Sequence, residues 1–502
     1  MTSTTRPNIV FILSDQQRRD SLGCYGHAIA QTPCLDGLAA NGVTFDNAFT
    51  ANVICQPSRA ALLTGRYPRV NGVVTNGVAL DANNEITLPD VLVSHGYQTA
   101  CAGKLHLAPH NDSDPTYGKN ESGYESPESP GFWNSGKSLP LPYYGFQEAR
   151  ICSGHAGDWM HYYRDLVSRD PGLPDLLKEE NALKPPSGAP SSWKSAIPEE
   201  HHVSTWVADQ AIDYIESFAV KPDPFFLFVG FPDPHFPYCP PAPWCDMFEP
   251  ASAPMPRRSP DEMKSPSPRY KEVIDRFSSW LPYHLMDMPD EHVREIIAHT
   301  YGMVSLLDKN VGRITATLDR LAISDNTILV FTTDHGEHLG DHWLVYKASP
   351  FDELIHLPMI WHCPGRFATG TRTEGIVSHV DLMPTILDMA GIELPRGVQG
   401  NSYRTALEGG EFTGRTCAYL EDDALGPDGN TFQRTVRTHD FRLSFYLPEN
   451  EGALYDLRND PHEFVNRWHD PNYRDARDHL TELMLKEAMQ AADPAPQRVA
   501  AC

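Results

Sequence analysis

Three short runs of nearly uninterrupted apolar residues punctuate the chain: Asn8–Ser14 (NIVFILS), 225–231 (FFLFVGF) and Thr327–Thr333 (TILVFTT). Each is too short for an ordinary helix and gives way to polar residues, so each predicts a strand buried on both faces. Segments with helical spacing lie between them, notably 203–218 and 291–321. Apolar strands alternating with helices predict an α/β fold around a large, mostly parallel mixed sheet flanked by helices. Ligands of such sheets bind beyond the carboxyl ends of the strands. The polar residues just after each run are therefore the first candidates for chemistry.

Two stretches break this rhythm. Residues 108–200 are rich in Gly, Ser, Pro and Asn, and 232–270 contains PYCPPAPWC and PASAPMPRRSPDEMKSPSP. Loops of this length read equally as surface decoration or as a rim around a substrate site. After Asp381-Leu-Met-Pro-Thr a short helix is expected to end at Gly391, with Asp381 as its N-cap. Beyond residue 394 the pattern changes to short strands at 433–437, Phe441–Leu447 and 453–457, then a helix at 473–490. The expected organisation is a catalytic α/β domain over 1–394 and a smaller C-terminal α+β domain over 395–502, built from an antiparallel sheet and a helix.

Charge and composition narrow the function. With 41 Lys+Arg against 66 Asp+Glu the net charge is −25, which argues against nucleic acid or an anionic membrane as partner. A local basic pocket for an anionic substrate remains compatible with it. The ten Cys form no C-x-x-C pair, so neither a disulfide scaffold nor a structural zinc site is expected. The start, MTSTTRPNIVFILSD, lacks the long apolar core of a signal peptide, and no apolar stretch reaches membrane-spanning length. A reducing, cytoplasmic location is the resulting expectation. The composition is also compatible with a homo-oligomer.

The sharpest local pattern is Cys55-Gln56-Pro57-Ser58-Arg59, continuing AALLTGR to Arg66. Pro57 suits the first turn of a helix and Gly65 its end. Cys55 then stands at the helix N-terminus, where free N–H groups favour an anion. Read alone, the pattern fits a buried, inert thiol as well as an activated one. The pairs Asp15-Gln16 and Asp334-His335 each follow a predicted strand, where two strand ends can converge on one cation. An isolated pair of this kind reads more simply as a helix cap or a turn. Lys104 and His106 follow an extended segment and, two apart, are expected to face the same side. Asn76 precedes Gly77 and suits a turn.

The full string resembles the C-x-P-S-R…T-G-R signature of the type I, formylglycine-dependent sulfatases of the alkaline phosphatase superfamily. The blocks 8–26, 32–49, 103–107 (GKLHL), 333–340 (TDHGEHLG), Lys347, 378–385 (SHVDLMPT) and 454–461 (LYDLRNDP) resemble the same family in the same order. The resemblance implies an alkaline-phosphatase-like fold and conversion of Cys55 to formylglycine by a formylglycine-generating enzyme. It implies one divalent cation, Ca²⁺ first and Mn²⁺, Mg²⁺ or Zn²⁺ as alternatives, held by Asp15, Gln16, Asp334, His335 and the modified Cys55. Gln16 replaces the usual Asp, as in phosphonate monoester hydrolases and some carbohydrate sulfatases. It removes one negative charge, which implies weaker cation binding.

Within the same resemblance, Arg59 holds the oxygen of residue 55, and Lys104 bridges it to the sulfate. His235 and Lys347 serve the leaving-group oxygen, and Asn76 contacts the transferred group. The implied chemistry is attack on sulfur by a formylglycine hydroxyl, giving a sulfated residue 55. Deprotonation of the second hydroxyl by His106 then expels sulfate. The expected substrate is a small aryl or carbohydrate sulfate. A phosphonate monoester or phosphodiester hydrolase with the same machinery is the alternative, favoured by Gln16, His335 and Asn76. A non-catalytic sulfated-glycan-binding protein is a weaker one, because every motif position is filled. His338, His342, His356 and His379 are read as structural.

Overall fold

The computed structural model describes residues 6–109, 139–153, 160–184, 186–347, 349–423 and 431–492. Strands in chain order are β1 (Asn8–Ser14), β2 (Val43–Phe45), β3 (Ala48–Phe49), β4 (Gln98–Gly103), β5 (Glu148–Ser153), β6 (Phe225–Gly230) and β7 (Thr327–Thr333). They continue with β8 (His356–Leu357), β9 (Met359–His362), β10 (Thr371–Thr373), β11 (Val377–Ser378), β12 (Ala418–Asp423), β13 (Phe432–Arg437), β14 (Phe441–Leu447) and β15 (Glu451–Asp456). Eight form a mixed sheet in the order β10-β2-β9-β7-β1-β6-β4-β5. The five from β7 to β5 run parallel, and β9 is antiparallel to β7.

The three apolar runs become the central strands because both faces of the sheet are covered. Ile9, Phe11 and Leu13 of β1 join one core with Phe226, Phe228, Ile328 and Val330. Val10 and Ile12 join the opposite core with Leu227, Val229, Leu329 and Phe331. Full burial of such a side chain contributes about 1.5–3 kcal/mol, so a polar residue on either face of these strands is costly. Helix Cys55–Thr64 and helix Leu382–Met389 cover the first face, and helices Val203–Ala219 and Asp290–Arg320 the second.

The helices expected at 203–218, 291–321 and 473–490 are Val203–Ala219, Asp290–Arg320 and Arg474–Gln490. Among the described residues no helix is long and apolar enough to cross a membrane.

Several expectations change. The loop-rich stretch 108–200 lies partly outside the described residues, but its described part contains β5, an edge strand of the main sheet, and helix Met160–Arg169. The stretch 232–270 folds as short 3₁₀ turns leading into helix Pro268–Ser278. Asp381 precedes helix Leu382–Met389 without capping it. Its carboxylate instead accepts from Ser378 N at 2.9 Å, Asn401 N at 2.7 Å and Arg415 Nε at 2.7 Å. A charged partner outcompetes the helix N–H groups for the same oxygens.

The C-terminal sheet is antiparallel, in the order β12-β13-β14-β15. Its first strand, β12, has no counterpart in the sequence expectation.

Candidate active site

Four adjacent strands deliver the site. Ser14 pairs with Thr333 across β1 and β7, so the next residues, Asp15 and Asp334, emerge side by side. On the other flank of β1, Gly103 of β4 pairs with Gly230 of β6. Lys104 leaves β4 and His235 follows β6 at the same end of the sheet. The extended geometry expected through His106 does not hold. His106 lies at φ +57, buried, so strand alternation ends before it.

Cys55 opens a helix whose ten residues are all buried. Asn76 Oδ1 accepts from Gln56 N at 3.0 Å, satisfying one free N–H of the first turn. The left-handed Gly65 (φ +64) ends the helix. Ser58 Oγ donates to Asp334 O at 2.7 Å, tying this helix to the end of β7. His379 Nδ1 lies 3.1 Å from Ser58 Oγ. Burial pushes that imidazole down to about 4, which keeps it neutral beside Ser58.

Asp15, Cys55, Asp334 and His335, all fully buried, bring one potential metal-ligating atom each within 4.8 Å of one another. Cys55 Sγ lies 3.2 Å from His335 Nε2 and 3.8 Å from Asp15 Oδ1. His335 Nδ1 faces Gly336 O at 2.9 Å. That contact leaves Nε2 as the ring atom turned toward the cluster. Gln16 lies beside them at φ +59. Its Oε1 is buried and accepts no hydrogen bond.

Such an orphaned oxygen is rare in a folded interior. It fits the ligand set of a hard cation together with two carboxylates and an imidazole. The residues present therefore fit the metal that the sequence implies.

Three cations surround the carboxylates. Arg59 donates from Nε to Asp334 Oδ2 at 2.8 Å and from Nη1 to Lys104 O at 2.7 Å, with Nη2 3.4 Å from Asp15 Oδ2. Its contacts are thus the two aspartates and the Lys104 carbonyl rather than residue 55. Lys104 Nζ pairs with Asp15 Oδ2. Lys347 Nζ lies 2.7 Å from Cys55 Sγ, 3.0 Å from His235 Nε2 and 3.2 Å from His335 Nε2.

Burial works against the charge on Asp15, but Lys104, His235 and Arg59 outweigh it and hold its carboxyl well below the usual range. Burial, reinforced by Asp15, pushes the Cys55 thiol up. Burial opposes the Lys347 charge, yet Cys55, Asp15 and Asp334 raise its ammonium above the ordinary value. An anionic ester entering here meets three fixed cations against two carboxylates.

Glu337, which the sequence reading passed over, is also part of this arrangement. It is buried and bonded to Gln16 Nε2, to Tyr238 OH at 3.0 Å and to Leu339 N at 3.2 Å. Burial raises its carboxyl to about 7. Its signal in the sequence was its place two residues after His335. Asn76 is exposed, and its Oδ1 is committed to the helix.

Comparison with known proteins gives the family. The sulfatase family model matches residues 7–392, and a model of the C-terminal region of N-sulphoglucosamine sulphohydrolase matches 340–490. An arylsulfatase of Clostridium perfringens is 27% identical over 499 residues, covering 96% of this chain and 94% of that protein. An N-acetylglucosamine-6-O-sulfatase of Bacteroides thetaiotaomicron is 28% identical over 526 residues, covering 98% and 88%. The crystal structure of a phosphonate monoester hydrolase of Agrobacterium radiobacter superposes with a TM-score of 0.81 at 27% identity, covering 97% of this chain and 96% of that one. The chain belongs to the sulfatase family and is a sulfatase, a hydrolase of sulfate esters.

Proposed function

We propose that this sulfatase acts on small aryl or carbohydrate sulfates, with Cys55 as formylglycine and a single divalent cation held by Asp15, Gln16, Asp334, His335 and residue 55. The observation that carries this reading is the meeting of Cys55, Lys347 and the Asp15–Asp334 pair at one point. The oxygen-rich donor set favours Ca²⁺, with Mn²⁺, Mg²⁺ or Zn²⁺ as alternatives for the imidazole. When bound, the cation supplies charge to the ester oxygens, and the hydrated aldehyde supplies the attacking hydroxyl.

The chain's own residues do the rest. Arg59 holds the two carboxylates in register, so the acidic pair is preorganised. Lys347 Nζ places positive charge against residue 55, and Lys104 Nζ places it on the neighbouring Asp15. His235 Nδ1 faces Phe236 O at 2.7 Å, which leaves Nε2 for Lys347 and the leaving oxygen. Proton donation at that oxygen is assigned to His235 with Lys347, and proton removal at residue 55 to His106. The arylsulfatase and the N-acetylglucosamine-6-O-sulfatase among its relatives support an aryl or sugar sulfate.

A maturing enzyme of the formylglycine-generating type and a cytoplasmic location belong to the same proposal, as do the domain limits 1–394 and 395–502. Phosphonate monoester hydrolysis is the second reading, supported by Gln16 and by the likeness to a hydrolase of that class. A kinetic screen of aryl sulfate, sulfated sugars and phosphonate monoesters on metal-replete, converted enzyme separates the two. Higher kcat/KM on a phosphonate than on every sulfate ester would overturn the sulfate reading.

A further inference from the structure

Gln16 is the proposed ligand that stands where an Asp is usual, and its surroundings explain how the site tolerates it. A side-chain amide carries its donor and its acceptor on opposite branches. Here the donor branch, Nε2, is bonded to Glu337. The acceptor branch, Oε1, therefore points away from Glu337, and it is the buried oxygen with no hydrogen-bond partner. The backbone is fixed as well. Gln16 N donates to Asp334 Oδ1 at 3.0 Å, and the residue is held at φ +59, a region that non-glycine residues seldom occupy.

Glu337 is itself anchored by Tyr238 OH at 3.0 Å and Leu339 N at 3.2 Å. It therefore cannot swing away to let the amide turn over. Its carboxylate is buried with no cationic side chain bonded to it among the described contacts.

We propose that Glu337 is the positioning residue for Gln16: it fixes the amide with Oε1 presented to the cation, and it sets its acid group directly behind the amide. Gln16 and Glu337 thus act as one unit, in which the acid group sits one residue further from the metal. Asp at position 16 has no donor to offer Glu337, so two buried carboxylates would face each other. The unit is a matched pair rather than a weakened ligand. The inference rests on the metal site of the proposed function.

The test is titration calorimetry with MnCl₂ and CaCl₂ on the metal-stripped, full-length protein at fixed pH, with melting curves of each metal-free variant. Glu337→Ala frees the amide to turn and should weaken cation binding by about 10–100-fold, the usual cost of losing a partner behind a ligand. Gln16→Asp should bind the cation about tenfold more tightly in a Glu337→Gln background than alone, because the swap restores one donor and one acid at the contact. A purely structural Glu337 would give no such rescue.

Tyr238→Phe loosens Glu337 without removing it and should weaken binding in the same direction if Glu337→Ala fails to fold. Unchanged affinity in Glu337→Ala or Tyr238→Phe, or strictly additive effects of Gln16→Asp and Glu337→Gln, overturns the pairing while leaving the metal site intact. A wild-type protein that binds neither cation overturns both.

Discussion

Lys347 Nζ touches Cys55 Sγ, His235 Nε2 and His335 Nε2 within 3.2 Å, so one ammonium links the proposed nucleophile, acid and metal ligand. If His235 is the acid, His235→Ala should slow sulfated sugars more than activated aryl sulfates. A sugar alkoxide needs a proton to depart and a stabilised phenolate does not. The difference between substrates should reach about 10²–10⁴-fold, the usual worth of a general acid. Equal losses on both, with unchanged melting, remove His235 from that role.

Cys55→Ala should abolish turnover while leaving the fold intact, and mass spectrometry of protein matured in its host should find an aldehyde at residue 55. Fully active protein carrying only unmodified Cys55 sinks that assignment. Asp334→Ala strips a fully buried partner from Arg59 and leaves three cations around one aspartate. It should abolish cation binding and cost the metal-free protein about 3–5 kcal/mol, measurable by urea denaturation. Binding that survives in this variant contradicts the ligand set.

At the scale of elements, legibility followed the physics of burial. The central strands β1, β6 and β7 were readable because both faces are covered, which leaves no polar position to blur the run. Two strands escaped for the opposite reason. β5 (EARICS) is an edge strand with polar and half-buried positions. β12 (AYLEDD) buries three acids whose partners include groups distant in sequence, Arg69 for Glu421 and Asp423 and Val53 N for Asp422. The residues at strand ends were found through the motifs. The role of Glu337 was not, because it depends on the turn that brings it behind Gln16.

Close approach of two strands also sets Lys104. A Cβ on Gly230 would lie 2.0 Å from Lys104 O, the carbonyl that also accepts from Arg59. Gly230→Ala should therefore displace Lys104 and Arg59 together, costing about 1–3 kcal/mol as an overpacked core does and lowering kcat. Native melting with native kcat would mean that the two strands simply move apart.

Across the whole molecule, the segment after Asp334-His335 is clamped by distant parts of the chain, and the clamp is electrostatic. His342 lies between Glu262 of the 232–270 insertion, at 2.6 Å, and Glu353, at 3.5 Å. Its ring stacks on Phe351 with 3.8 Å between centroids, and Tyr270 OH donates to its carbonyl at 2.7 Å. His338 Nδ1 meets the same Glu353 at 2.8 Å. The C-terminal sheet and the turn after it grip the neighbouring segment through Arg437 on Asp352 and Glu463 on Asp352 N.

Burial opposes a charge on His342, but Glu353 and Glu262 outweigh it and hold the imidazole up at about 10, against an ordinary 6.5. The folded state therefore keeps a proton that the unfolded chain releases. Below pH 6.5 both states carry it and the clamp contributes fully. From 6.5 upward the unfolded state is progressively favoured, and the contribution is gone once pH passes about 10. Urea midpoints of the wild type should fall across this interval relative to His342→Gln, whose amide can still reach one carboxylate but does not titrate. Shifts from Tyr, Cys and Lys groups are common to both proteins and cancel in the difference. A wild-type-minus-variant stability that stays flat from pH 6.5 to 10 would show that His342 is neutral in the fold, and that the 232–270 stretch is held there by packing and by hydrogen bonds such as that of Tyr270.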